Sequence, residues 1–193
     1  MAHFTSTDIL DFPSRYRANL INSISGYKSC NLIGTIAESG TTNAAIFNSI
    51  VHIGSHPPML GFILRPTTVP RNTYTNLKET GYFTVNQVHE SMIKDAHQTS
   101  AKYDADISEF DQTDLQEEFL DDFKAPYVKN SPIQLGCTYI NEYEIKENDT
   151  ILIIGEIQHI YVDKSFLHED GWVQLDKAET VSSIGLDLSL IHI

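Results

Sequence analysis

Asn43-Ala44-Ala45-Ile46-Phe47-Asn48-Ser49, followed by Pro57-Pro58 and then by residues 65–81, is the stretch on which the fold turns. An apolar strand carries two polar residues side by side, a double proline ends it, and a second apolar run follows. Proline donates no ladder hydrogen bond, so residues 43–53 read as one strand closed by Ser55-His56-Pro57-Pro58. A strand serving only a core has no need of Asn48 beside Ser49. A phosphate-bearing ligand lying across it does.

Residues 27–37 alternate loosely and predict a strand before this one. Glu38-Ser39-Gly40 between them is a turn, because glycine supplies the positive φ, so the two strands form a hairpin. Residues 59–64 are apolar on both faces, as in a strand covered on both sides. Residues 72–80 predict a short helix stopped by Gly81, and residues 82–88 the next strand. A second helix is expected over residues 91–102, where Met92, Ile93, Ala96 and Tyr103 keep helical spacing behind a Ser91 cap. Thr113-x-x-Gln116 has the form of a capping box. Leu115, Phe119, Leu120 and Phe123 then mark one stripe of an expected acidic helix. Residues 133–145 alternate most clearly, with Ile133, Leu135, Cys137, Tyr139, Tyr143 and Ile145 on one face. Glu147-Asn148-Asp149 turns the chain into a long buried strand over 151–162, and residues 172–175 are expected as a short last strand. Residues 1–26 read as a lead-in broken by polar residues. About six strands joined mostly by short turns predict a mainly β single domain over 1–193: a six-stranded antiparallel barrel with peripheral helices.

Composition narrows the function classes. The chain has 193 residues, enough for a sizeable core, and is 41% hydrophobic, which argues against disorder. Its net charge of −13 argues against a nucleic-acid partner. Nine of the acidic side chains crowd between Asp104 and Asp122, as a solvated face does. No apolar run approaches the length of about 18 that a membrane helix requires, so no membrane partner is expected. The first residues, Met1-Ala2-His3-Phe4-Thr5, lack a basic region followed by an apolar one, and a cytoplasmic location is expected. Cys30 and Cys137 lie far apart in expected strands, as two reduced, buried residues. No cysteine–histidine cluster has zinc spacing, and no metal is expected.

Arg65-Pro66-Thr67-Thr68-Val69-Pro70-Arg71-Asn72-Thr73 gathers two guanidiniums and three threonine hydroxyls where a helix begins. Helix N-termini present free N–H groups and partial positive charge, and arginine adds paired donors to phosphate oxygens. The plainer alternative is a capped surface loop with solvated arginines. The segment is neither a P-loop nor a dinucleotide fingerprint.

With further segments in the same order, this pattern resembles the flavin reductase-like family, whose fold is an FMN-binding split barrel. The matching residues are 43–49, Ser55-His56-Pro57-Pro58, Arg71-Asn72-Thr73 and Leu77-Lys78-Glu79-Thr80-Gly81-Tyr82-Phe83-Thr84-Val85-Asn86. Thr99-Ser100-Ala101, Asp106-x-x-Glu109-Phe110, Ala125-Pro126, Ser131-Pro132-Ile133-Gln134-Leu135-x-Cys137 and Ile154-Gly155-Glu156-Ile157-x-His159 follow. The match runs over roughly residues 25 to 187. Where Asn48 stands the family often has serine, and where His56 and Asn72 stand it often has aspartate.

The resemblance implies that the flavin ring lies against Phe47, Asn48, Ser49 and Ile50, with Thr35 of the neighbouring strand able to touch it. It assigns the phosphate to Arg71, Asn72 and Thr73, with Arg65 and Thr67 nearby. It implies hydride transfer from NAD(P)H to flavin or to a small-molecule electron acceptor, a homodimer with FMN near the subunit contact, and in one version a partner monooxygenase. A non-catalytic flavin-binding or electron-carrier protein is the alternative. The flavin carries such chemistry itself, so no catalytic side chain is assigned. Among the histidines, His159 falls in a matched segment; His52, His56, His89 and His97 read as structural or surface residues. Ser182-Ser183-Ile184-Gly185-Leu186-Asp187 fits the family, after which residues 188–193 resemble translated adapter sequence, expected as a truncated or read-through terminus.

Overall fold

The computed structural model describes residues 1–185 and, for Ser189–Ile191, the backbone alone. Helices α1 (Ser6–Asp11) and α2 (Ser14–Ile24) come first. Strands β1 (Lys28–Ser29), β2 (Asn31–Ile36), β3 (Thr42–Phe47), β4 (Val51–Ser55) and β5 (Pro58–Leu64) follow. Helix α3 (Asn72–Thr80), strand β6 (Tyr82–Gln87) and helix α4 (Ile93–Gln98) lead to the short strands β7 (Glu117–Glu118) and β8 (Tyr127–Val128). The long pair β9 (Ile133–Ile145) and β10 (Thr150–Val162) precedes β11 (Ser182–Ile184) and β12 (Ser189–Ile191).

Seven strands form one antiparallel sheet in the order β3-β2-β6-β9-β10-β5-β4. β3 and β4 are consecutive in the chain yet stand at the two edges, joined only through Asn48, Ser49 and Ile50. Laid flat, seven strands would hold those edges about 29 Å apart, at roughly 4.8 Å per spacing. The connection reaches about 14 Å when fully extended. The sheet therefore curls into a barrel split between β3 and β4. At the split, Ser49 Oγ donates to Ile63 O and accepts from Ile63 N, both at 3.1 Å, so a side chain stands in for a backbone partner.

β2 is buried on both faces, because successive side chains point to opposite sides of a sheet. Ile33 joins an inner cluster with Phe62, Phe83, Val85 and Ile153, while Leu32 joins an outer one with Ala44, Val88 and Met92. Gly155 lies under the Phe83 ring, where an added Cβ would meet Cε1 at 2.7 Å. Cys30 and Cys137 are free and buried. The outer edge of β3 is covered: Ala44 N donates to Glu109 Oε2 at 3.0 Å, and Thr42 Oγ1 and Ser108 Oγ share a bond of 3.0 Å. Burial pushes the Glu109 carboxyl above its ordinary pKa, against the pull of the Ala44 N–H.

The mainly β split barrel agrees with the sequence, and Asn72–Thr80 is a helix closed by Gly81 in the left-handed conformation, φ 75°. The strand count rises from six to seven because residues 43–53 are two strands on opposite edges. Asn48 and Ser49 mark the crossing, not the middle of a strand. Residues 1–26 fold into α1 and α2. The helix of residues 91–102 is a 3-10 turn, Glu90–Met92, running into α4. The acidic helix is absent among the described residues. Leu115 and Phe123 bury in different clusters, Glu117 and Glu118 pair with β8, and Asp121 and Asp122 take φ of 48° and 57°, which a helix excludes. Residues 172–175 form no strand; a single bridge joins Leu167 and Val173. Of the expected foreign tail, residues 188, 192 and 193 lie outside the described residues, while the backbone of Ser189–Ile191 pairs with β11.

Candidate functional site

Helix α3 packs against β2 and β3 through a buried polar knot. Asn43 Nδ2 donates to Thr35 Oγ1 at 3.3 Å and to Thr73 Oγ1 at 3.1 Å. Asn76 Nδ2 donates to the same Thr35 hydroxyl at 3.2 Å. All four residues are buried. Thr73 and Asn76 share a helix face because they are three apart. The knot thus fixes the first turn of α3 to the barrel wall. Also along α3, Tyr74 Oη donates to Glu142 at 3.0 Å and Lys78 Nζ donates to Tyr139 Oη at 2.9 Å, which ties the helix to β9.

No side chain caps the N-terminus of α3. Arg71 holds the cap position in an extended conformation, and its carbonyl accepts from Tyr74 N and Thr75 N, both at 3.0 Å. The N–H groups ahead of Tyr74 then have no intrahelical acceptor. Arg71 Nε is buried and has no hydrogen-bond partner among the described residues. A buried guanidinium N–H beside an uncapped helix end is an arrangement suited to an anion: among the described residues neither has a partner of the chain's own.

Phe47 ends β3 half-buried, edge-on to Phe62 with ring centroids 5.1 Å apart, and Ile50 packs on the same inner cluster. Asn48 Nδ2 donates to Ser183 Oγ of β11 at 3.3 Å. The backbone of residues 48–50 is therefore anchored on both sides, by Ser183 and by Ile63. Arg65 and Thr67 are exposed on the way to α3. Thr67 lines a groove of about 530 Å³ with Glu142, Glu144 and Asp149, surroundings of the wrong sign for a phosphate. The structure thus gathers Thr35 and Thr73 in one knot, sets Arg71 and Asn72 at the helix end, and turns Thr67 toward carboxylates. A second groove, about 690 Å³, lies elsewhere, between His89, Gln134 and Phe166. His159 packs edge-on to Phe123 at 5.4 Å and parallel to Tyr161 at 6.2 Å, the surroundings of a structural aromatic.

Asn43 and Asn76 hold the helix end in place and were not among the expected site residues. Nothing in the sequence shows which partners satisfy them: as buried amides both are tolerable only inside a satisfied network, and the network forms between elements distant in the chain. No group of three or more His, Cys, Asp or Glu among the described residues is placed to hold a metal, and no helix is long and apolar enough to cross a membrane.

An antiparallel split barrel with one helix docked on its wall is the class of protein that the fold defines. Residues 27–175 match the family described as "Flavin reductase like domain", and the chain belongs to that family. It is similar to a candidate flavin reductase with split barrel domain from Shewanella frigidimarina NCIMB 400, at 43% identity, TM-score 0.93, covering 97% of this chain and 93% of that one. The fold is shared with nitrilotriacetate monooxygenase component B from Bacillus cereus, at 17% identity, TM-score 0.86, covering 100% and 96%. It is shared also with flavoredoxin of Desulfovibrio vulgaris (Miyazaki F), at 23% identity, TM-score 0.74, covering 86% and 87%. The family implies that a flavin, as cofactor or substrate, is the group this protein handles.

Proposed function

We propose that the protein is a homodimeric FMN-dependent oxidoreductase that uses reduced nicotinamide. The single observation that carries the FMN assignment is the buried, unpartnered Nε of Arg71 at the uncapped start of α3. Of the flavin forms, a terminal phosphate with two charges suits that arrangement. Arg71 and the N–H groups of Asn72 and Thr73 hold the phosphate. Phe47 and Ile50 offer apolar surface to the ring, and the backbone of Asn48 and Ser49, fixed by Ser183 and Ile63, presents polar groups along its edge. Thr35 and Thr73 act through the knot that positions α3. Bound FMN would supply the redox chemistry, hydride transfer from NAD(P)H, with a small-molecule acceptor or a partner monooxygenase as the destination of the electrons. The chain's part is to orient the rings and exclude water, for which no proton-transferring side chain is needed.

The test is an absorbance spectrum of the purified protein with and without added FMN, followed by oxidation of NADH and of NADPH. Binding with turnover supports the proposal. Yellow protein without turnover under either nicotinamide overturns the enzymatic half and leaves a flavin carrier. Protein that neither binds FMN nor consumes nicotinamide overturns both halves.

A further inference from the structure

Away from the candidate site, the fold puts a serine, a histidine and a glutamate in one hydrogen-bonded line. His89 caps the 3-10 turn Glu90–Met92, in which Ser91 lies. Glu179 comes from the segment before β11. It is brought alongside by Glu90 N, which donates to Glu179 O at 3.1 Å, and by the bridge between His89 and Thr180. Ser91 Oγ is 2.8 Å from His89 Nδ1, and His89 Nε2 is 3.0 Å from Glu179 Oε2. The backbone fixes the part each ring nitrogen plays. Ser91 N can only donate, and it reaches Nδ1 at 3.1 Å. Nδ1 is therefore the unprotonated nitrogen, open to the Ser91 hydroxyl as well, and the ring proton sits on Nε2, facing the carboxylate. Among the described residues no other serine or threonine hydroxyl is hydrogen-bonded to an imidazole.

A cap uses only the ring and the Ser91 N–H. The hydroxyl and the carboxylate add what a cap does not use: a nucleophile whose proton has an acceptor, and an acid that orients that acceptor. Ser91 is exposed and the His89 side chain is 28% exposed, so a reagent can reach both. His89 and Glu179 also line the groove of about 690 Å³, whose wall includes Ile160 and Phe166. We propose that Ser91 is an acylation site that takes the acyl group of an activated ester, with His89 as its base and Glu179 positioning the ring. Ser91 Oγ attacks the carbonyl carbon as its proton passes to His89 Nδ1. The bond from that carbon to the leaving oxygen then breaks, and the proton departs with the alcohol or phenol. The apolar part of the acyl group lies along Ile160 and Phe166. The site shares no residue with the candidate flavin site.

The test treats the full chain with p-nitrophenyl acetate and p-nitrophenyl butyrate, follows release of p-nitrophenolate, and locates the acyl group by peptide mass. Ser91→Ala, His89→Asn and Glu179→Gln are compared with the wild type, each checked by circular dichroism. Asparagine is itself a good cap, so His89→Asn keeps the turn and loses the base. The expected result is one acyl group on Ser91, transferred faster from the butyrate than from the acetate. Ser91→Ala should lose it, and His89→Asn should acquire it about tenfold more slowly or worse. Glu179→Gln keeps an acceptor for Nε2 without the charge, and should lower the limiting rate of acylation at an unchanged half-saturating ester concentration. Ser91 acylated no faster than the other serines, or at the wild-type rate in His89→Asn, overturns the proposal and leaves His89 a cap. Should His89→Asn fail to fold, an unchanged limiting rate in Glu179→Gln overturns it equally. Equal rates with the two esters overturn the placement of the acyl group in the groove.

Discussion

Replacing Asn43 by alanine tests whether the polar knot is what holds α3 to the barrel. Two hydrogen bonds disappear, at 3.3 and 3.1 Å. A neutral bond contributes about 0.5–1.5 kcal/mol net, and the longer of the two belongs at the low end. Thr35 keeps a donor, Asn76 Nδ2 at 3.2 Å, so only Thr73, 5% exposed, loses one it cannot replace from water. Adding the packing lost on truncating a buried side chain, the expected cost is about 2–3 kcal/mol. For a chain of this size that is a fall in Tm of roughly 4–12 °C. Urea unfolding and calorimetry measure it. Hydrogen exchange should locate it in the first turn of α3, while the turn around Leu77, still packed in the core, stays protected. A double-mutant cycle with Thr73→Ala should return a coupling of about 1 kcal/mol. A loss under about 0.5 kcal/mol at unchanged m-value, or strict additivity with Thr73→Ala, would refute the reasoning.

Three further outcomes are expected. Arg71→Ala should weaken FMN binding by about 1.5–3 kcal/mol, near 10- to 150-fold in Kd, and Thr73→Ala by less, since the helix N–H groups remain; fluorescence titration decides, and unchanged affinity in both would move the phosphate toward Arg65. Folded Glu109 keeps its proton to higher pH than the unfolded residue, so its contribution is present below the ordinary value of 4.5 and lost as pH rises through the raised one. Glu109→Gln keeps an acceptor for Ala44 N without the charge. It should therefore exceed the wild type in Tm at pH 7 and converge with it near pH 4; a gap independent of pH contradicts this. Gly155→Ala drives a methyl group into the Phe83 ring and should cost about 1–3 kcal/mol, partly restored by Phe83→Leu in a denaturation series.

What the sequence made legible follows from how local each signal is. Helix α3 was readable to the residue because its stop is a single glycine whose φ of 75° few other residues tolerate. β9 was readable from alternation over a long strand, and β10 from the turn at Glu147-Asn148-Asp149 followed by an apolar run, although the two register shifts between them were not. The break between β3 and β4 was not. Its cause is non-local: Ser49 takes the Ile63 backbone as partner, 14 residues away, and no propensity at Asn48 or Ser49 announces it. The acidic helix failed for a related reason. The spacing of Leu115, Phe119 and Phe123 is helical, but Phe119 is 49% exposed and the other two belong to separate clusters, so tertiary packing overrode the period. At the site, Arg71 and Asn72 were legible as residues able to hold a phosphate. Asn43 and Asn76 were not, because their part is to position a helix, and that becomes visible only when the elements are brought together.

The covering of β3 has a consequence for how the molecule is made. The edge of that strand is sheltered by Ser108 and Glu109 through Thr42 and Ala44. On a ribosome those two residues emerge about 60 positions after β3, on the order of 3–12 s later at roughly 5–20 residues per second. Until then the nascent chain has an apolar strand whose outward N–H groups are bare, a template for pairing with a neighbouring nascent chain on the same message. The barrel cannot help sooner, since β9 and β10 are translated later still. Slow codons or a stall between residues 48 and 108 should therefore convert yield into aggregate without changing a single contact of the finished protein.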